Sequence, residues 1–164
     1  MNILYIILIS LNVCFIATVV NSVEWITYSE VPKGTVHSYN RDDIVFDGHT
    51  VKVWTRFDYV SPEAKERELN GRRKQGLATE GFENISYDLN LWEVDCQLKR
   101  FGLLRYRTYD DKGMILESGS AEQMGEEEWE DVAPNSKSED LYKIVCNMAK
   151  KKSPPETAPK GKEL

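Results

Sequence analysis

The chain has 164 residues, enough for one domain of ordinary size. Its 21 Lys and Arg against 27 Asp and Glu leave a net charge of −6, which argues against non-specific nucleic-acid binding, because that needs a basic face. The charge is uneven: the segment after Cys146 is net basic through Lys150, Lys151, Lys152, Lys160 and Lys162, and the body before it is correspondingly more acidic.

Residues 1–22 contain no charged side chain and are mostly Ile, Leu, Val and Phe. An apolar run at the extreme N-terminus reads as a signal peptide, with Val20 and Ser22 small enough to flank a cleavage after Ser22. Two alternatives stand beside that reading. No Lys or Arg precedes the run, and its length approaches the roughly 18–20 residues that span a bilayer, as a retained anchor would. A lipoprotein signal centred on Cys14 would need Gly, Ala or Ser where Val13 stands. Cleavage leaves a chain from Val23 to Leu164 with no further hydrophobic span.

That chain opens on strands. Residues 23–31 (VEWITYSEV) are rich in β-branched and aromatic types, and Pro32-Lys33-Gly34 is a turn. Residues 35–39 and 43–47 read as two short strands, and Asp47-Gly48 is a hairpin signal leading into residues 50–60. In that fourth strand Val51, Val53, Phe57 and Tyr59 share one face, with Lys52, Arg56 and Asp58 on the other. Trp54 lies on the polar side, which implies partial cover there.

Residues 61–83 break the pattern. Ser61-Pro62 opens one or two charged helical turns, up to Leu69, and Gly71, Gly76 and Gly81 punctuate the remainder as a solvated loop. Arg72, Arg73 and Lys74 form the only dense basic run of the body, so this loop is also a candidate contact for an acidic protein partner.

Residues 84–97 make a long strand. Ile85, Tyr87, Leu89 and Leu91 alternate on one face, then Trp92, Val94 and Cys96 appear on the other, which predicts a bulge or an end buried on both sides. Asn84-Ile85-Ser86 matches a glycosylation sequon, of consequence only in a eukaryotic secretory pathway. Strands at 103–109 and 114–118 meet across Asp110-Asp111-Lys112-Gly113. An exposed Gly- and Glu-rich loop follows, then a short extended piece at 129–133.

The last element is a helix. Ser136 and Glu139 have capping-box spacing, and Leu141, Ile144, Val145 and Met148 share a face. So short a helix is not stable alone and must lie on the sheet. The Pro- and Lys-rich segment 150–164 lacks apolar periodicity and reads as a disordered tail without a KDEL-type signal.

Export leaves Cys96 and Cys146, an even pair that is most simply a disulfide; two buried thiols are the alternative, and a metal site lacks ligands at suitable spacing. Placed near the helix end, Cys146 is positioned to staple the helix to the strand that Cys96 closes.

The ordered set Trp25, Trp54, Asp95-Cys96, Tyr109, Gly113, Trp129, Pro134-Asn135-Ser136 and Val145-Cys146 resembles the bacterial surface-adhesin protein E family over nearly the whole exported chain. Asn135 departs from the Gly frequent there, and the 61–83 segment is longer and more charged. The resemblance implies an antiparallel sheet packed by a C-terminal helix, a Cys96–Cys146 disulfide and export to a Gram-negative envelope. It also implies binding of host extracellular-matrix proteins, without assigning that role to particular residues.

The residues offer no chemistry that competes with this. His37 and His49 lie in no metal-spaced motif and read as surface residues; no GxSxG, P-loop, HExxH or dinucleotide fingerprint occurs, and no cofactor is expected. Glu126, Glu127, Glu128, Glu130 and Asp131 lack EF-hand spacing and read as a solvated loop. The aromatic residues read as core and cross-strand pairs, with an exposed ligand-capturing patch as the alternative.

The expectation is an α+β domain over 23–149. It comprises a single antiparallel sheet of about six to seven strands, a covering C-terminal helix and one disulfide. Functionally it is an exported, non-enzymatic binding module for a protein partner, with a homodimer through a sheet edge as an option. A periplasmic inhibitor or accessory protein acting through 61–83 is the alternative, and a hydrolase with an unrecognised site is the third reading.

Overall fold

The computed structural model describes residues 23–32, 34–121 and 129–152. The apolar segment 1–22, the acidic residues Glu126, Glu127 and Glu128, and the tail beyond Lys152 lie outside the described residues. Among the described residues, no helix is long and apolar enough to cross a membrane.

Eight strands build one antiparallel sheet: β1 (Trp25–Glu30), β2 (Thr35–Asn40), β3 (Val45–Asp47), β4 (Thr50–Tyr59), β5 (Ile85–Asp95), β6 (Arg100–Asp110), β7 (Ile115–Ser120) and β8 (Trp129–Asp131). The order is β1-β2-β4-β5-β6-β7, with β3 pairing β4 and β8 pairing β6. The turns follow local chemistry. Gly48 and Gly113 take φ of 57° and 78°, the left-handed conformation that two of the hairpins require. The β5–β6 turn holds no glycine. Instead Asp95 accepts the N–H groups of Gln97 (2.9 Å) and Leu98 (2.8 Å), and Lys99 takes φ 55°. That carboxylate lets β6 start at Arg100, three residues before the expected strand.

Two helices lie on the same face of this sheet. The C-terminal helix α2 (Lys137–Lys152) sets Leu141, Val145 and Cys146 against Tyr39, Val51, Val53, Val94 and Phe101, all at most 5% exposed. Each such side chain contributes about 1.5–3 kcal/mol by leaving water. Ser136 accepts the N–H of Glu139, and Glu139 reaches back to the N–H of Asn135. Asn135 itself has φ 58°, a left-handed position that glycine fits best and asparagine tolerates. Cys96 and Cys146 form the disulfide, Cα–Cα 5.6 Å, and Tyr142 donates to the Cys96 carbonyl at 3.0 Å.

Residues 61–83 correct the expectation of a loop after Leu69. Helix α1 spans Pro62–Gln75 and runs straight through Gly71. Ser61 caps it by accepting the N–H of Ala64, Pro62 supplies the fixed φ of the first turn, and Gly76 at φ 71° ends it. An interior glycine costs only about 1 kcal/mol against alanine, too little to stop a helix whose two ends are capped. A single 3-10 turn at Phe82–Asn84 then leads into β5.

The predicted parity switch in β5 has a different cause. After an irregularity between Ile85 and Tyr87, β5 alternates unbroken from Tyr87 to Asp95, and the second register slip lies on the partner strand, where Leu91 pairs Arg105 and Trp92 pairs Leu103. Trp92, Val94 and Cys96 therefore face the helices, while Tyr87, Leu89 and Leu91 face the opposite side.

Candidate functional site

That opposite side is the first candidate site. Cross-strand register places Trp54 beside Leu91, Arg56 beside Leu89 and Asp58 beside Tyr87. β6 continues the surface with Leu91 beside Arg105, Leu89 beside Arg107 and Tyr87 beside Tyr109. None of these side chains is buried, and no described element covers them. Arg56 is bidentate to Asp58, with bonds of 2.6 to 3.0 Å, and its guanidinium lies 4.0 Å over the Tyr87 ring. Tyr87 stacks on Tyr109 at 4.7 Å. The result is an ordered carboxylate–guanidinium–aromatic–aromatic row across three strands. Lys52 pairs with Glu93 at 3.7 Å, whereas Arg105 and Arg107 are exposed and make no ion pair among the described residues. This face is thus locally basic on an acidic chain, with aromatic and leucine side chains between the cations. Trp54, placed on the polar side by alternation, belongs to it.

The expected basic contact is divided by the fold. Arg73 and Lys74 are exposed in the last turn of α1. Arg72 is only 7% exposed and is not available to a partner. It bonds the Ala78 carbonyl at 2.7 Å, pairs with Glu117 at 2.9 Å and stacks 3.6 Å over Phe82. Helical periodicity turns it inward while its neighbours point out. Around it lie two half-buried acids, Asp88 and Glu68. Tyr59 donates to Asp88 at 2.7 Å. Burial raises the pKa of Asp88, and burial together with the Asp88 charge raises that of Glu68; Arg72 opposes both.

A second candidate lies between α2 and the packed face. A cavity of about 250 Å³ is lined by Tyr28, Phe57, Trp92 and Phe101, with His37 and Lys137 on its wall. Glu130 and Asp131, both exposed, stand at its rim. His37 was expected at the surface and is 7% exposed instead; β2 lies in the sheet interior, between β1 and β4, so its inward residues are covered. The ring lies 4.3 Å from Phe57, and its Nε2 is 2.6 Å from Thr35 Oγ1 and 2.7 Å from Lys137 Nζ. Burial, with the Lys137 charge second, lowers the His37 pKa to about 4. Burial, with Arg67 second, lowers that of Lys137.

A hydroxyl beside an imidazole is half of a nucleophile–base arrangement. Here no carboxylate among the described residues stands behind Nδ1, and Lys137 competes for the same Nε2. The geometry suits binding better than acyl transfer. Among the described residues, no three His, Cys, Asp or Glu side chains are grouped to hold a metal ion. His49 is exposed at the β3–β4 turn, 4.0 Å from Asp95.

Comparison with known proteins fixes the relationship. The family model for surface-adhesin protein E matches residues 25–147, three quarters of the chain. The chain belongs to the surface-adhesin protein E family. Among solved structures, crystal form II of Haemophilus influenzae protein E is 12% identical, TM-score 0.43, covering 76% of this chain and 98% of that one. Protein E from non-typeable Haemophilus influenzae is 12% identical, TM-score 0.43, covering 79% and 88%. No curated protein matches in sequence. Family membership agrees with the antiparallel sheet, the C-terminal helix and the disulfide, and it identifies a surface-adhesin-like protein.

Proposed function

We propose that the chain is an exported, non-enzymatic binding protein of the bacterial envelope that holds a protein partner on the open face of its sheet. The carrying observation is the half-exposed row of Trp54, Arg56, Tyr87, Leu89, Leu91 and Tyr109, flanked by Arg105 and Arg107, which have no ion partner among the described residues. Trp, Tyr and Arg are the residues that dominate protein–protein binding energies, and the row is already ordered by its own stacking. The cysteine bridge supports an oxidising compartment. In this reading residues 1–22 are the export signal, 23–149 the binding domain and 150–164 a tail; N-terminal sequencing of the exported chain should begin at Val23.

The partner surface is acidic, to complement Arg105 and Arg107, and host extracellular-matrix proteins are the class that family membership suggests. A panel of purified matrix glycoproteins on a biosensor tests this. Arg105→Ala with Arg107→Ala should lower affinity and flatten its salt dependence. Tyr87→Ala should weaken binding about tenfold or more. The alternative, an inhibitor or accessory protein acting through 61–83, rests on the exposed Arg73 and Lys74. It makes the opposite forecast: Arg73→Glu with Lys74→Glu abolishes binding and the sheet variants leave it intact.

A further inference from the structure

The cavity under the start of α2 is bordered by a buried ring that no described residue fully satisfies. A lysine ammonium only donates, so its 2.7 Å contact makes Nε2 of His37 the acceptor, and the Thr35 hydroxyl, 2.6 Å from the same nitrogen, donates to it as well. The neutral ring then carries its proton on Nδ1, and Nδ1 has no partner among the described residues. Leaving a buried N–H unpaired costs about 1–3 kcal/mol, and such groups are rare. The donor belongs to a residue that borders an apolar space large enough for more than one water, and a cation stands beside it. The aromatic walls disfavour filling that space with water alone.

We propose that this cavity is a binding site for a small aromatic or branched apolar carboxylate. The apolar body lies among Tyr28, Phe57, Trp92 and Phe101, and the carboxylate accepts from His37 Nδ1–H, with the Lys137 ammonium across the ring on Nε2 adding attraction without direct contact. The volume is below the roughly 300–1,000 Å³ of drug-sized sites, so the ligand is one ring with a short acidic arm. The exposed Glu130 and Asp131 at the rim reject ligands with a second negative charge. This site is separate from the open face: Trp92 belongs to the helix-covered side of β5, and Leu91 to the other.

The exported chain, disulfide intact, is titrated with benzoate, phenylacetate and indole-3-acetate, each beside its uncharged amide, and with benzylamine. The Trp92 indole N–H resonance, assigned with Trp92→Phe, reports occupancy of the cavity. The carboxylates should shift it saturably, at least about tenfold more tightly than the amides, since one charge-assisted bond separates them. Benzylamine should not bind. Lys137→Met should narrow the preference for acid over amide while amide binding persists, and Lys137→Arg should restore it. A purely structural lysine would not move that ratio. Equal affinity for acids and amides in the unaltered chain overturns the proposal. So does the absence of any Trp92 shift at millimolar probe, which would mean that the cavity holds water only.

Discussion

Replacing Arg72 with methionine tests whether a buried cation holds α1 to the sheet. Methionine keeps much of the aliphatic stem, so the change removes chiefly the guanidinium. Three contacts go: the bond to the Ala78 carbonyl at 2.7 Å, the ion pair with Glu117 at 2.9 Å and the stacking over Phe82 at 3.6 Å. Hydrogen bonds from charged groups contribute roughly 1.5–3 kcal/mol each, and a desolvated cation–π contact about 0.5–2 kcal/mol. The Glu117 share must be discounted, because that side chain is 36% exposed and rehydrates when its partner leaves. The expected net loss is about 3 kcal/mol.

The loss also depends on pH. Glu68 and Asp88 already have raised pKa values, chiefly through burial; Arg72 restrains the rise at Glu68, and at Asp88 it does so after the Tyr59 and Thr108 hydrogen bonds. Without it both acids rise further. An acid whose folded pKa exceeds its unfolded value holds its proton more tightly in the native state. Stability is then retained at low pH and declines as pH climbs from the unfolded toward the folded value. The variant should therefore lose more at about pH 7 than at about pH 5. Urea unfolding followed by tryptophan fluorescence reads both effects, with the midpoint displaced by about 1–3 M for ordinary slopes. A loss below about 1 kcal/mol, or one equal at the two pH values, would refute the role assigned to Arg72. Arg73→Ala is the control, since an exposed neighbour should stay within about 0.5 kcal/mol.

Three further outcomes follow from the fold. Changing Cys96 and Cys146 together to alanine opens a loop with a sequence separation of 50 residues and should cost about 4 kcal/mol in urea unfolding; near-unchanged stability would show the bridge to be incidental. Burial alone would raise the pKa of Asp95, but the N–H groups of Leu98 and Gln97, with His49 and Arg100, hold it below the usual value. Its contribution is thus complete above about pH 4 and is lost as pH falls through the folded value, so Asp95→Asn should cost about 1–2 kcal/mol near neutrality and nothing in strong acid. An equal loss at both ends of an acid titration would contradict this. Gly119→Ala should destabilise by about 1–3 kcal/mol, because the new Cβ would sit 2.5 Å from Cε1 of Tyr106; thermal melting unchanged from wild type would show that the ring yields freely.

Strand positions were legible in the sequence wherever two faces differ in polarity, as in β4, and wherever a turn announced itself, as at Asp47-Gly48 and Asp110 to Gly113. The C-terminal helix was legible from its cap and its apolar side. Helix α1 was not, because it has no apolar stripe: only Ala64 and Arg72 are buried, and an arginine at a buried position reads as surface. Burial of His37 was hidden for a related reason. A short strand of mixed polarity does not disclose which neighbours will flank it, and the Lys137 contact spans 100 residues of sequence. The disulfide was legible once residues 1–22 were read as an export signal and the remaining cysteines counted, and the structure supplied its geometry.

The apolar residues of β5 carry the most consequential lesson. Read along the strand, Tyr87, Leu89 and Leu91 followed by Trp92, Val94 and Cys96 imply a backbone that changes faces. The backbone does not change; the environment does. Both helices occupy one side of the sheet, so a strand that is apolar on both sides has only one of them covered. Leucine and tyrosine on the other side then remain in partial contact with water, which costs roughly 25 cal/mol for each Å² left unburied. The chain offsets some of that by laying Arg56 over Tyr87 and Tyr87 against Tyr109. Paired charges cover only part of the face: Arg56 pairs with Asp58 and Lys52 with Glu93, but Arg105 and Arg107, beside Leu91 and Leu89, have no ion partner among the described residues. A surface kept for solubility alone would have no need of stacked tyrosines and leucines. A surface kept for association needs both an apolar centre and charges left open for the partner, and this face has that composition.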